Sequence, residues 1–174
     1  MRYILTLLFV FNILSARAQA PCESKFTLHK DKRGQHTWIM HTSLKLSNWT
    51  KDTATVELRL QKMRDRNDKW VIVLSVIDNT NKCVKEGAKA FFKFTDNSEP
   101  GYANPTGNCE GVYQVEMPIA SVGTSMGSNK LKNLLRKKRL VSISLENAKG
   151  FTDGIMAEEE GEELLDIINC MLDE

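Results

Sequence analysis

Cys22, Cys83, Cys109 and Cys170 are the residues whose chemistry this sequence constrains most tightly. They stand too far apart for a Cys-x-x-Cys pair, so neither dithiol exchange nor a zinc knuckle is encoded. Two disulfides in an oxidising compartment are the remaining use, and four cysteines leave three pairings formally open. Cys83 and Cys109 flank the central strand region, which favours joining them to each other. Cys22, near the start, is then left for Cys170, near the end, and each bridge would add about 2–4 kcal/mol.

Other chemistry-bearing residues lack partners at a useful spacing. His29, His36 and His41 are clustered, but in an extended strand His36 and His41 point to opposite faces, and no acid sits among them at ligand spacing, so no metal site is expected. No Gly-x-Ser-x-Gly elbow is present, and the cysteines serve better as disulfides than as nucleophiles. Carboxylates are abundant, and none is singled out by context. Gly123 to Lys130 superficially resembles a phosphate-cradling loop, but its glycines are too close together and two residues separate Gly127 from Lys130. No catalytic residue, cofactor or metal is therefore expected.

One local patch has functional colour. Lys130, Lys132, Arg136, Lys137, Lys138 and Arg139 place six basic residues within ten positions, enough to touch an anionic polysaccharide, lipid headgroups or an acidic protein partner. The acidic C-terminal segment is an internal rival for the same charges. Aromatic residues interleaved with the bases, which single-stranded nucleic acid would need, are missing, so no nucleic-acid partner is expected.

The elements that carry these residues begin after an export signal. Arg2, the apolar run from Ile4 to Leu14 and the small residues Ala16 and Ala18 read as a cleavable secretory signal over residues 1–18, with Gln19 as the new N-terminus. The run is shorter than the roughly 20 residues a spanning helix needs, so no transmembrane segment is expected in the mature chain. Loss of Arg2 and Arg17 lowers the 24 basic residues to 22, equal to the 22 acidic ones, and a balanced chain has no long-range field to steer it onto a polyanion. Residues 19–174 suit a single domain, periplasmic or secreted.

Period-two alternation marks several strands. Val56, Leu58 and Leu60 share one face of Val56 to Met63, and Trp38, Met40, Leu44 and Leu46 share one face of a second, preceding strand. Trp70 to Ile77 is almost continuously apolar, as a central strand covered on both faces would be. Ala88 to Thr95 sends Ala90, Phe92 and Phe94 inward and Lys89, Phe91 and Lys93 outward. Val112 to Met117 and Val141 to Leu145 also alternate. Asp96 to Gly111 reads as a loop, and Gly150 and Gly154 as punctuation.

Ser128 is placed to cap a helix with Leu131, Leu134 and Leu135 as its apolar stripe and its lysines and arginines in solvent. A second helix from about Ala157 to Leu172 sets Ala157, Leu164, Leu165, Ile168, Met171 and Leu172 on one side, with Glu158, Glu159, Glu160, Glu162 and Glu163 near the positive end of its dipole.

The signal ending in Ala-Arg-Ala-Gln-Ala, the stretch from Gly87 to Asp96, the Asn108-Cys109-Glu110-Gly111 turn and the tail Asn169-Cys170-Met171-Leu172 resemble small exported proteins of Bacteroidota-type bacteria, to which no activity is attached. The resemblance implies an envelope or periplasmic address and carries over no site residues.

The expected fold is α+β: a curved antiparallel sheet of about six or seven strands, meander-like, with two packed helices. The expected function is a non-catalytic envelope or periplasmic interaction module. Two alternatives stand beside it: a carrier with an apolar ligand held among Trp38, Phe92, Phe94 and Tyr113, and a small hydrolase using two facing acids or His41 beside an acid.

Overall fold

A computed structural model describes residues 25–30, 36–40, 43–48, 51–65, 67–80, 83–119 and 126–173. Along the chain run β1 (Phe26–Lys30), β2 (His36–Met40), β3 (Leu44–Asn48), β4 (Lys51–Arg64), β5 (Trp70–Asp78), β6 (Lys89–Phe94), β7 (Gly101–Ala103), β8 (Val112–Pro118), α1 (Met126–Lys137), β9 (Leu140–Asn147), β10 (Gly150–Ile155) and α2 (Glu158–Asp173). Among the described residues the expected class, a mainly antiparallel sheet with two helices, is what forms, but the sheet there has ten strands rather than six or seven.

The additional strands fall where alternation is short or broken by small residues. β1 is too brief to show a pattern, β7 lies inside the Pro- and Gly-rich stretch read as loop, and β10 contains both glycines read as punctuation. The Trp38 to Leu46 pattern, read as one strand, is two: β2 and β3 occupy successive lengths of the same edge of β4. β4 has 14 residues, about 46 Å of extended chain, long enough to template both.

The connectivity also departs from a meander. β4 pairs with β5 and β5 with β8, but β6 leaves that group and pairs with β9. β9 and β10 form a hairpin, and β10 joins β3 through Ile155 opposite Ser47. The sheet curls at this junction. At Gly154 a Cβ would stand 2.7 Å from the Val56 Cβ and 2.8 Å from the Leu46 Cβ, so a residue without a side chain is required for β10 to cross so closely over β3 and β4.

Curling turns the inner faces of β4, β5 and β8 toward those of β6 and β9. Leu58, Leu60, Leu74, Phe92, Phe94, Tyr113 and Ile143 join one continuous buried cluster. Helix α1 adds Leu131 and Leu135, and α2 adds Leu164, Ile167, Ile168 and Met171. The Tyr113 hydroxyl spans the interior and donates to the Glu146 carbonyl. Ser128 proves to be inside α1 and buried, since that helix starts at Met126.

At the start of α2 the Glu160 carboxylate accepts the Ala157 N–H at 3.3 Å, half of a capping box. No helix among the described residues is long and apolar enough to cross a membrane.

Candidate functional site

Cys83 and Cys109 are joined, as the sequence favoured. The bridge sits beside an antiparallel pair in which Val84 N–H donates to the Asn108 carbonyl at 2.7 Å and Asn108 N–H to the Val84 carbonyl at 2.9 Å. It thus staples the β5–β6 connection to the β7–β8 connection. Cys170 is half-buried against the core. Cys22 lies outside the described residues, and so does its expected pairing with Cys170.

The six basic residues do not form one surface. Helical spacing makes 128, 131, 132 and 135 a single buried stripe, so Lys132 turns inward with 7 % exposure, whereas the sequence reading had put it in solvent. Its ammonium donates to the Pro118 carbonyl at 2.6 Å and the Ile119 carbonyl at 3.2 Å. Burial, and secondarily the nearby Arg136 guanidinium, holds its pKa below the usual lysine range.

Arg139 pairs with Glu158 at 3.1 Å and Glu162 at 3.4 Å, so the acidic helix does neutralise part of the run. Lys138 approaches Asp96 at 3.5 Å. Lys130, Arg136 and Lys137 remain exposed. An open groove of about 580 Å³ follows this side of α1, lined by Asn129, Lys130, Asn133, Leu134, Lys137 and Lys138. Leu134, read as part of the core stripe, is only half-buried and supplies an apolar floor between the lysines.

A buried polar network occupies one end of the curled sheet, and the sequence did not single it out. Asp78 is 2 % exposed; its Oδ1 accepts the Thr80 N–H at 2.8 Å and hydroxyl at 2.7 Å, and its Oδ2 accepts the Asn147 amide at 3.1 Å. The same amide donates to Thr152 Oγ1 at 2.8 Å, and the Thr80 and Thr152 hydroxyls meet at 2.9 Å. Thr55 Oγ1 donates to the Asp153 carbonyl at 2.8 Å. These bonds tie β4 and β5 to β9 and β10. A buried carboxylate satisfied in this way holds a fold together and needs no ligand. Alternation could not expose it, because each residue reads as an ordinary strand-end polar group.

Of the histidines, His29 and His36 stand at diagonal positions of the paired strands β1 and β2, and His41 lies outside the described residues. Phe92, Phe94 and Tyr113 are filled around by core side chains, with the Tyr102 ring edge-on to Phe92 at 5.8 Å between centroids. Two acids, Glu86 and Glu146, do line one groove of about 390 Å³. Glu86 is exposed there, and Glu146 already accepts the Lys89 N–H at 3.1 Å.

Comparison with protein-family models, curated proteins and solved structures finds no match to this chain.

Proposed function

We propose that this chain is a non-catalytic exported interaction module of the envelope or periplasm that meets an anionic polysaccharide through the exposed side of α1. The observation that carries this reading is the groove in which Lys130, Lys137 and Lys138 surround Leu134. The exposed ammonium groups of Lys130 and Lys137 over an apolar floor suit a partner with acidic substituents on a carbon ring, because these lysines meet the charge and Leu134 the C–H surface, while Lys138 at the rim is paired with Asp96. Export rests on the signal-like pattern of Arg2, Ile4 to Leu14, Ala16 and Ala18, and the Cys83–Cys109 bridge suits an oxidising compartment.

The test is retention on immobilised heparin as salt is raised. The Lys130→Ala/Lys137→Ala double variant should elute at clearly lower salt than the parent chain, since exposed charge attraction is screened within about 10 Å at 0.1 M. Equal elution of the two would overturn the assignment. The carrier alternative draws no support from Phe92, Phe94 and Tyr113, which pack with helix residues in one core.

A further inference from the structure

Outward-facing residues of β6, β7, β9 and β10 line up in lateral rows on the side of the sheet opposite Ala90, Phe92, Ile143 and Leu145, which join the helices in the core. In one row Asp153 stands opposite Ser144, Ser144 opposite Phe91, and Phe91 opposite Gly101. In the next, Phe151 stands opposite Glu146. The Phe91 and Phe151 rings meet at 6.1 Å between centroids with planes 57° apart. Gly101 fixes the first ring, since a Cβ there would stand 2.8 Å from Phe91 Cε1. Phe151 is 61 % exposed, and it and Leu28 are the large hydrophobic residues exposed among those described.

A pinned aromatic pair on a face of small residues has no role in the core. Its surroundings specify a hydroxyl-rich partner. Ser144 Oγ donates to Asp153 Oδ1 at 2.6 Å, and Glu146 Oε2 accepts the Lys89 N–H. The second oxygen of each carboxylate has no hydrogen-bond partner among the described residues, leaving an acceptor on either side of the rings. Glu146 also lines the adjoining groove of about 390 Å³ with Lys85 and Glu86, a volume within the range of small-molecule sites. Lys85, Lys89 and Lys93 stand here with Glu86, Glu146 and Asp153, so charges of both signs are interspersed and no single-sign patch surrounds the rings.

We propose that this face binds an uncharged glycan, with one hexose laid on the Phe91–Phe151 pair and a neighbouring sugar in the groove beside Glu146. The C–H face of a hexose meets the electron-rich face of an aromatic ring, and its hydroxyls donate to the flanking carboxylates. A protein partner would need a far wider apolar area than two rings. This site lies on the sheet face opposite α1 and takes a ligand of different charge, so it stands or falls separately from the anionic contact.

The experiment is native electrophoresis of the exported chain through gels containing dextran, galactomannan or hydroxyethylcellulose, compared with a gel lacking polysaccharide. Retardation is expected in at least one, and Phe151→Ala should weaken the apparent affinity about tenfold, the scale of a lost aromatic contact. Phe151 is exposed, so its loss leaves the core intact. Lys130→Ala/Lys137→Ala should be retarded like the parent. No retardation in any of the three gels, or equal retardation of Phe151→Ala, overturns the proposal.

Discussion

Lys132 on α1 donates its ammonium to the carbonyl of Pro118, the last residue of β8, at 2.6 Å, and this contact turns a member of a basic run into a clip between helix and sheet. Two carbonyls, those of Pro118 and Ile119, depend on it. Lys132→Ala should therefore lower unfolding stability by about 2–3 kcal/mol, the range for losing charge-assisted bonds at a buried site. Urea unfolding measures this. The same variant should elute from heparin with the parent chain, in contrast to Lys130→Ala/Lys137→Ala, whose stability should change by less than about 0.5 kcal/mol.

Tyrosine ionisation should report the closed interior. Burial raises Tyr102 to about 12; burial, reinforced by Asp78 and Glu146, raises Tyr113 to about 12. Both folded values exceed the unfolded one, so the stability they contribute is fully present below about pH 10 and is lost as pH rises from 10 through 12. In a chain lacking residues 1–18, which contain Tyr3, absorbance at 295 nm should stay low past pH 10.5. It should then rise together with loss of circular dichroism. An ordinary midpoint near 10 in the folded chain would contradict this.

Gly154→Ala tests the curl. Its Cβ would meet the Cβ atoms of Val56 and Leu46, which lie next to the backbone and cannot swing aside. A loss of about 1–3 kcal/mol is expected in thermal or urea unfolding. Gly150→Ala gives a useful contrast, because there φ is +119° while nothing lies within 4 Å; its cost comes from backbone strain alone.

Removing the staple between the two connections should be equally visible. Cys83 and Cys109 are 26 residues apart, and closing a loop of that length stabilises by about 3.5 kcal/mol in the chain-entropy account. Cys83→Ser/Cys109→Ser should lose stability on that scale in urea, and the parent chain under reducing conditions should lose at least as much.

The sequence by itself determined the class of the fold and the position of most elements. Alternation located β4, β6, β8 and β9 because each has one face against the core, and β5 was legible as an apolar run because Val71 and Val73 are buried on the face opposite its core residues Ile72, Leu74 and Val76. Helical spacing located α1 and α2 for the same reason, and even the outward orientation of Phe91 was legible from its neighbours Ala90 and Phe92. Cysteine placement alone favours the Cys83–Cys109 bridge that forms.

Tertiary structure decided everything that depends on which element lies beside which. Lys132 looked solvated because lysine usually is; only the seating of α1 against the end of β8 supplies carbonyls that make its burial tolerable. Gly150 and Gly154 looked like a turn, yet their strand is where the sheet curls. Phe151 acquired meaning only when β10 placed it against Phe91, and Glu146 only when the same rows brought it beside both Phe151 and Glu86. Local periodicity records which side of an element is dry, since that is a property of neighbouring residues. It carries no record of strand order, because pairing joins backbones that are far apart in the chain and nearly indifferent to the side chains they bear.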